Sequence, residues 1–312
     1  MRSILINHKI GLKWLRKYIL FILILFAVDY SISYFLTEGL KKYYGFNTQP
    51  EILLIGHSHT MLGLNKNMIE AGLHCKVAKY AIEGVNVLDR LTMVNHFLHQ
   101  KGNSVKIITY DVDAFFLTRG GLSKNSYQLF YPFMDDKYIN EYIKLENKNK
   151  YEYLVKKFIK TSRFTDLNLN GSLRGYLRFY SNIKIGVIDT VAYKKKIENN
   201  DFAKITFDSD LQAKFEETLK IIQNAHITLV LVLIPTIDIL NRMEPEKYEK
   251  AISLLEEYSR NNKNVYFINY NVEYANQHEL FYDPIHLNPK GSKVITERLI
   301  KDLRKIFVIS KE

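Results

Sequence analysis

A serine hydroxyl becomes a useful nucleophile when a neighbouring imidazole takes its proton, and the imidazole works best when a carboxylate holds its tautomer. Three residues of this chain answer that requirement. Ser58 stands in Gly56-His57-Ser58-His59-Thr60, directly after an apolar run. Asp283 and His286 stand three residues apart in Tyr282-Asp283-Pro284-Ile285-His286-Leu287-Asn288-Pro289, just ahead of a helical segment. At that spacing Asp283 is placed to orient the ring of His286, so Ser58, His286 and Asp283 form a candidate catalytic set for acyl transfer. Gly56 lets the backbone turn sharply, and the amide of Ser58 itself is a candidate oxyanion donor. Two other readings stay open. Asp283 and His286 are also suited to capping the last helix, and His57, His59, Asp283 and His286 are all of metal-ligand type, which admits a zinc-assisted hydrolysis.

Such residues need a frame that brings distant segments together. Brief β-type apolar runs alternate with longer segments of helical period, the pattern of an α/β layer architecture. The sequence predicts strands over Glu51–Gly56, Lys76–Ala81, Val105–Asp111, Ile227–Ile234 and Val265–Asn269. Helices are predicted over Asn86–Gln100, with Asn86 as N-cap, over Leu211–Gln223 and Tyr248–Tyr258, and from Pro289 onward with Asn288 as cap. Ser58 then emerges at the carboxyl end of the first strand, where sites of this architecture collect. Between the third and fourth strands lies a stretch too long for one crossover, so residues from about 114 to about 205 are read as an insertion or lid with helices of its own, near Asp135–Leu145 and Tyr151–Lys160. Its aromatics Tyr127, Phe130, Tyr131, Phe133, Tyr176, Phe179 and Tyr180 suit either sugar stacking or packing of the lid.

From Tyr18 to Leu36 the only charged side chain is Asp29, and the segment is close to the ~20 residues that cross a bilayer. Arg2, Lys9, Lys13, Arg16 and Lys17 precede it without one acid. The positive-inside bias therefore predicts a basic cytoplasmic segment over 1–17, a transmembrane helix over 18–37, a linker over 38–50, and a domain over 51–312 outside the cytoplasmic membrane. A signal peptide is the competing reading, although no small-x-small cleavage site follows the apolar run. Asp29 is expected near the outer interface, within reach of water.

The formal net charge of +11 is compatible with any polyanion, but the lysines, among them Lys156, Lys157, Lys160 and Lys194 to Lys196, are dispersed and read as solvated faces. No nucleic-acid partner is expected. The lone Cys75 rules out an intramolecular disulfide and is expected to be a small core residue rather than a nucleophile.

A Gly-x-Ser after the first strand, a Gly after the second (Gly84 in Ile82-Glu83-Gly84-Val85-Asn86) and Asp-x-x-His-Leu-Asn before the last helix resemble the SGNH, or GDSL-type, hydrolase superfamily over roughly residues 50 to 307. The resemblance implies a three-layer α/β sandwich with a mostly parallel five-stranded, flavodoxin-like sheet. It also implies Ser58, Asp283 and His286 as triad, and the Ser58 and Gly84 amides as oxyanion donors, with Asn86 as a further candidate. His57 stands where the family usually has Asp, and the third block, expected as Gly-x-Asn, reads Asp111-Val112-Asp113. An ionised Asp113 cannot donate a hydrogen bond to an oxyanion, so His57, His59 and Asp113 are expected to line the site without serving it in that way. The tethered form is similar to membrane-anchored members that modify cell-surface polymers, the exopolysaccharide O-acetylation proteins and the teichoic-acid D-alanyl transfer protein. It implies a serine esterase or acyltransferase acting on O-acyl, foremost acetyl, groups of an extracytoplasmic carbohydrate, with a multi-span acyltransferase as possible partner. No cofactor and no metal is called for. A non-catalytic assembly subunit of a polysaccharide export or modification machine is the alternative of a different class.

Overall fold

The computed structural model describes residues 2–118, 125–199 and 204–309. In chain order the helices and strands are α1 (Arg2–Tyr44), β1 (Ile52–Gly56), α2 (Ser58–Gly63), α3 (Lys66–Leu73), β2 (Val77–Ala81), α4 (Val87–Lys101), β3 (Ile107–Asp111), α5 (Lys137–Glu146), α6 (Lys150–Phe158), α7 (Asp166–Tyr176), α8 (Thr190–Glu198), α9 (Ser209–Asn224), β4 (Thr228–Leu233), α10 (Asp238–Asn241), α11 (Pro245–Asn261), β5 (Val265–Asn269), α12 (Asn271–Tyr274) and α13 (Pro289–Ile309). All five strands are parallel, in the order β2-β1-β3-β4-β5. This is the flavodoxin-like order, and the direction of winding reverses between β1 and β3. The sheet is wholly rather than mostly parallel.

β1 to β4 are buried along their whole length, which is why they read as unbroken apolar runs in the sequence. Alternation sends their side chains to two faces. Ile52, Leu54, Ile107, Val230 and Val232 enter one core with Ile295, Leu299 and Leu303 of α13. On the opposite face α4 packs with α9, so the domain has three layers.

The chain forms two compact units. One comprises residues 1–40 with 127–173, the other 41–126 with 174–312. The stretch read as a single lid thus divides, its middle belonging with α1 and its two ends with the sheet. In the first unit Phe130, Tyr131, Ile139 and Ile143 are fully buried. Tyr127 and Phe133 are buried as well, so these four aromatics of the 127–133 segment pack the interior and present no face to a sugar.

α1 is long and apolar enough, over Lys13–Tyr44, to cross a membrane. It continues seven residues past the predicted end at 37, because Leu40 and Tyr44 are buried and the turn is made only at Gly45, whose φ of 92° favours glycine. Asp29, expected near the outer interface, is half-exposed and has protein partners. Its carboxylate accepts hydrogen bonds from the Lys160 amide (2.7 Å), the Thr161 amide (2.9 Å) and the Thr161 hydroxyl (2.5 Å). Cys75 is half-buried against the main core, and burial pushes its thiol up to about 11, which leaves it unreactive.

Candidate active site

The site lies in the unit holding the sheet. β1 ends at Gly56, His57 caps α2, and Ser58 is the first residue of that helix. Gly56 is needed for space, not for an unusual φ: a Cβ there would run into the Thr60 hydroxyl and the Asp111 carboxylate. That carboxylate, at the end of β3, holds the turn. Asp111 Oδ2 accepts from the His57 amide (3.1 Å), the Thr60 amide (3.0 Å) and the Thr60 hydroxyl (2.7 Å). Its other oxygen accepts from the buried guanidinium of Arg90 (2.9 Å), which also donates to the Asp111 carbonyl (2.6 Å) and stacks on Tyr110. Burial works to raise the Asp111 carboxyl, but the neighbouring His57 and Arg90 outweigh it and hold it below the usual carboxylate range.

The second half of the site is a turn between Phe281 and Leu287, which pair as an antiparallel bridge. Asp283 Oδ1 accepts from the amides of Ile285 (3.0 Å) and His286 (2.9 Å), closing the turn. Asp283 Oδ2 lies 2.8 Å from His286 Nδ1, and His286 Nε2 lies 2.8 Å from Ser58 Oγ. With Nδ1–H donated to the carboxylate, Nε2 is left to accept from the serine. Asp283 is depressed because burial, which would raise it, is outweighed by its bonds to His286 and the turn amides. The helix-capping reading fails here: α13 is capped by Asn288, whose Oδ1 accepts from the Gly291 amide (3.0 Å), while Asp283 and His286 face each other and the serine. The segment ending the insertion braces this turn, with Ile188 donating to the Phe281 carbonyl (3.0 Å) and Asn288 Nδ2 to that of Gly186 (3.1 Å).

Ser58, His57, His59, Gly84, Asn86, Asp113 and Asp283 all border one cleft of about 750 Å³, at the carboxyl end of the sheet beside the β1/β3 reversal. Gly84 takes a φ of 79°. Asn86 is committed through Oδ1 to capping α4, where it accepts from Leu88 (2.8 Å) and Asp89 (3.1 Å), so only its Nδ2 is left for an oxyanion. Asp113 lies on the cleft wall, its Oδ2 3.2 Å from His57 Nε2 and its Oδ1 accepting from Phe115 (2.7 Å). Burial tends to raise it and the His57 hydrogen bond overrides this, so it stays ionised well below the usual range.

His57 Nδ1 accepts from the His59 amide (3.2 Å), which puts the ring proton on Nε2, toward Asp113. His59 is buried and burial pushes it down to about 3, so it is neutral. Among the described residues its Nδ1 has no hydrogen-bond partner, and it sits 3.7 Å from Asp113 Oδ2. Together His57, His59 and Asp113 offer ligand atoms within 4.8 Å of one another, a set able to hold a cation. The four-residue zinc set read from sequence is not assembled as such, since Asp283 and His286 are engaged with each other and with Ser58.

Several cleft residues were not legible as such. Phe115, Phe116 and Tyr193 supply its aromatic wall, and Lys196 and Lys204 reach it from the end of the insertion. Tyr176, Phe179 and Tyr180 do not line it; they lie against Lys42, Arg174 and Lys66 respectively. Arg90 carried no local motif that would have singled it out, and Asp111, although it opens the third block, carried no sign of its pairing with Arg90.

No family model and no curated protein matches the chain. Among solved structures it is similar to a Bacteroides fragilis protein described as a "putative acylhydrolase" (10% identity, 83% of this chain and 88% of that one, TM-score 0.43). It is also similar to a GDSL-like lipase from Bacteroides thetaiotaomicron (9% identity, 82% and 89% covered, TM-score 0.40). These are likenesses of strand and helix arrangement, and the site is read from its own geometry.

Proposed function

We propose that this chain is a serine hydrolase of the SGNH type, built on an α/β sandwich and tethered by α1, that removes or transfers a small acyl group on a carbohydrate outside the cytoplasmic membrane. The observation that carries the reading is the continuous relay from Asp283 Oδ2 through His286 to Ser58 Oγ, each link 2.8 Å. Ser58 Oγ attacks the ester carbonyl carbon while its proton passes to His286 Nε2, and Asp283 stabilises the imidazolium. The carbonyl oxygen, now an anion, faces the amides of Ser58 and Gly84. Collapse breaks the bond to the alkoxide, which takes the proton back from His286 and leaves as a hydroxyl. The acyl-Ser58 is then attacked by water or by a second sugar hydroxyl, whose proton His286 takes; collapse breaks the acyl–Oγ bond, the acyl group leaves as the acid or the new ester, and His286 returns the proton to Ser58 Oγ. Acetyl is the favoured group, and a multi-span acyltransferase would be the partner in transfer.

The wild-type chain is expected to label with a fluorophosphonate probe and to hydrolyse nitrophenyl acetate, and Ser58→Ala to do neither. Undiminished labelling of Ser58→Ala would remove the serine mechanism, and equal inertness of both proteins would favour the assembly-subunit reading. The zinc reading draws on His59 Nδ1, which has no hydrogen-bond partner among the described residues; turnover unaffected by chelators, in protein with less than stoichiometric metal, would dismiss it.

A further inference from the structure

The unit containing α1 has an inverted helix. In α7 the inward residues are Asn168, Gly171 and Ser172, with Asn168 and Ser172 almost fully buried, while Leu167 and Leu173 are 60% and 61% exposed. A helix packed on a protein in water has the opposite distribution. α6 repeats the exposure: Leu154 and Phe158, four apart on one face, are both turned outward, and Ile159 follows them. The turn joining the two helices is the one fastened to α1, through the three hydrogen bonds that Asp29 accepts from Lys160 and Thr161.

The position of Asp29 along α1 gives this a depth. From Lys17, the last basic residue before the apolar run, to Asp29 the helix rises only about 18 Å, whereas a bilayer's hydrocarbon core is about 30 Å thick. If Lys17 marks one boundary, Asp29 lies inside the core with roughly 12 Å of it still to cross. There a carboxylate and two free backbone amides would each be costly, and here they satisfy one another. Beyond Asp29, Tyr30, Ile32, Tyr34 and Phe35 remain exposed, continuing an apolar surface on α1.

We propose that residues 150–173 are embedded in the outer leaflet, with the apolar side chains of α6 and α7 covered by lipid acyl chains. The inference rests on α1 being a membrane span. The occupant is fixed by continuity: the outward leucines and Phe158 adjoin a helix whose own exposed surface is that of a lipid-facing span, and they are fastened to it within its apolar stretch.

The test uses the full-length chain, Cys75→Ser, carrying one environment-sensitive fluorophore on a cysteine at Phe158, Leu173, Leu25 or Lys263, in phosphatidylcholine/phosphatidylglycerol vesicles. Lipids with a nitroxide high or low on the acyl chain serve as quenchers, and each labelled protein must retain the thermal transition of the unlabelled one. Probes at Phe158 and Leu173 are expected to be blue-shifted and quenched several-fold more than the probe at Lys263, most by the high nitroxide, and the probe at Leu25 most by the low one. Phe158 and Leu173 as wet as Lys263, with Leu25 still quenched, would overturn the embedded segment and leave the anchor standing. An unquenched Leu25 would overturn the anchor, and the proposal with it.

Discussion

Asp111→Asn tests the idea that a buried ion pair, rather than the serine turn itself, sets the nucleophile's position. In the wild type one carboxylate oxygen takes three donors from the turn and the other takes Arg90. Asparagine retains one acceptor oxygen and replaces the other with an NH2, so either the turn or the guanidinium then meets a donor. Kept with its oxygen toward the turn, it leaves Arg90 buried without its paired carboxylate, holding, among the described residues, the carbonyls of residue 111 (2.6 Å) and Asn86 (3.3 Å). Removing one partner of a buried pair costs about 3–5 kcal/mol. At about 2–4 °C per kcal/mol for a domain of this size, the midpoint should fall by roughly 6–20 °C. Arg90→Met added to Asp111→Asn removes the stranded charge and should recover at least about 2 kcal/mol, a non-additivity expected of residues in one network. Melting of the full chain in detergent micelles, with fluorophosphonate labelling rates at Ser58 measured alongside, reads both effects. A single variant within about 1 kcal/mol of wild type, or a double variant no more stable than the single, would refute the reasoning.

Asp283→Asn should leave the fold intact, free His286 to adopt the wrong tautomer, and lower kcat by roughly 10⁴-fold with little change in KM; a loss under tenfold would show that the carboxylate does not orient the ring. Burial pushes His59 from 6.5 down to about 3, so below pH 6.5 the unfolded chain takes a proton that the folded chain refuses. Its contribution is therefore fully present above pH 6.5 and declines as pH falls, by about 1.4 kcal/mol per unit at most; between pH 6.5 and 4.5 the wild type should lose more stability than His59→Gln, and parallel profiles would contradict this. Gly56→Ala should cost about 3 kcal/mol or more by overpacking against Thr60 and Asp111, and Thr60→Ala in the same chain should return part of it, both measured by thermal melting.

The strands were legible because burial on both faces leaves an unbroken apolar run, which is what β1 through β4 present. Ser58, Asp283 and His286 were legible because each sits in a short local pattern. The contact between Ser58 and His286, residues 228 positions apart, follows only once the sheet order puts the end of β1 beside the turn before α13. Arg90 and Asp111 were not legible, because nothing in an ordinary amphipathic helix or strand end marks a pair formed across 21 residues. For the aromatics of the 127–133 segment the sequence left sugar stacking and packing of the lid both open, and burial decides for packing: composition reports how many rings a segment has, not which way they face. Asp29 illustrates a third gap, since the partners that satisfy its carboxylate lie more than 130 residues away.

Under the proposed mechanism Asp113, on the cleft wall, bears on the oxyanion through its charge. A bare carboxylate on the cleft wall would oppose a developing oxyanion, because like charges repel. Asp113 is not bare: His57 Nε2–H is directed at one oxygen and the Phe115 amide at the other. These bonds draw its charge away from the cleft and also fix His57, whose Nδ1 in turn receives the His59 amide. His57, which precedes Ser58, is thereby held by Asp113, and Asp111 takes the amides of His57 and Thr60 on either side of the Ser58–His59 pair. The Ser58 amide is the backbone donor between those fastened neighbours. Under the proposed mechanism, the carboxylate that cannot bind the oxyanion helps to hold the turn whose Ser58 amide would.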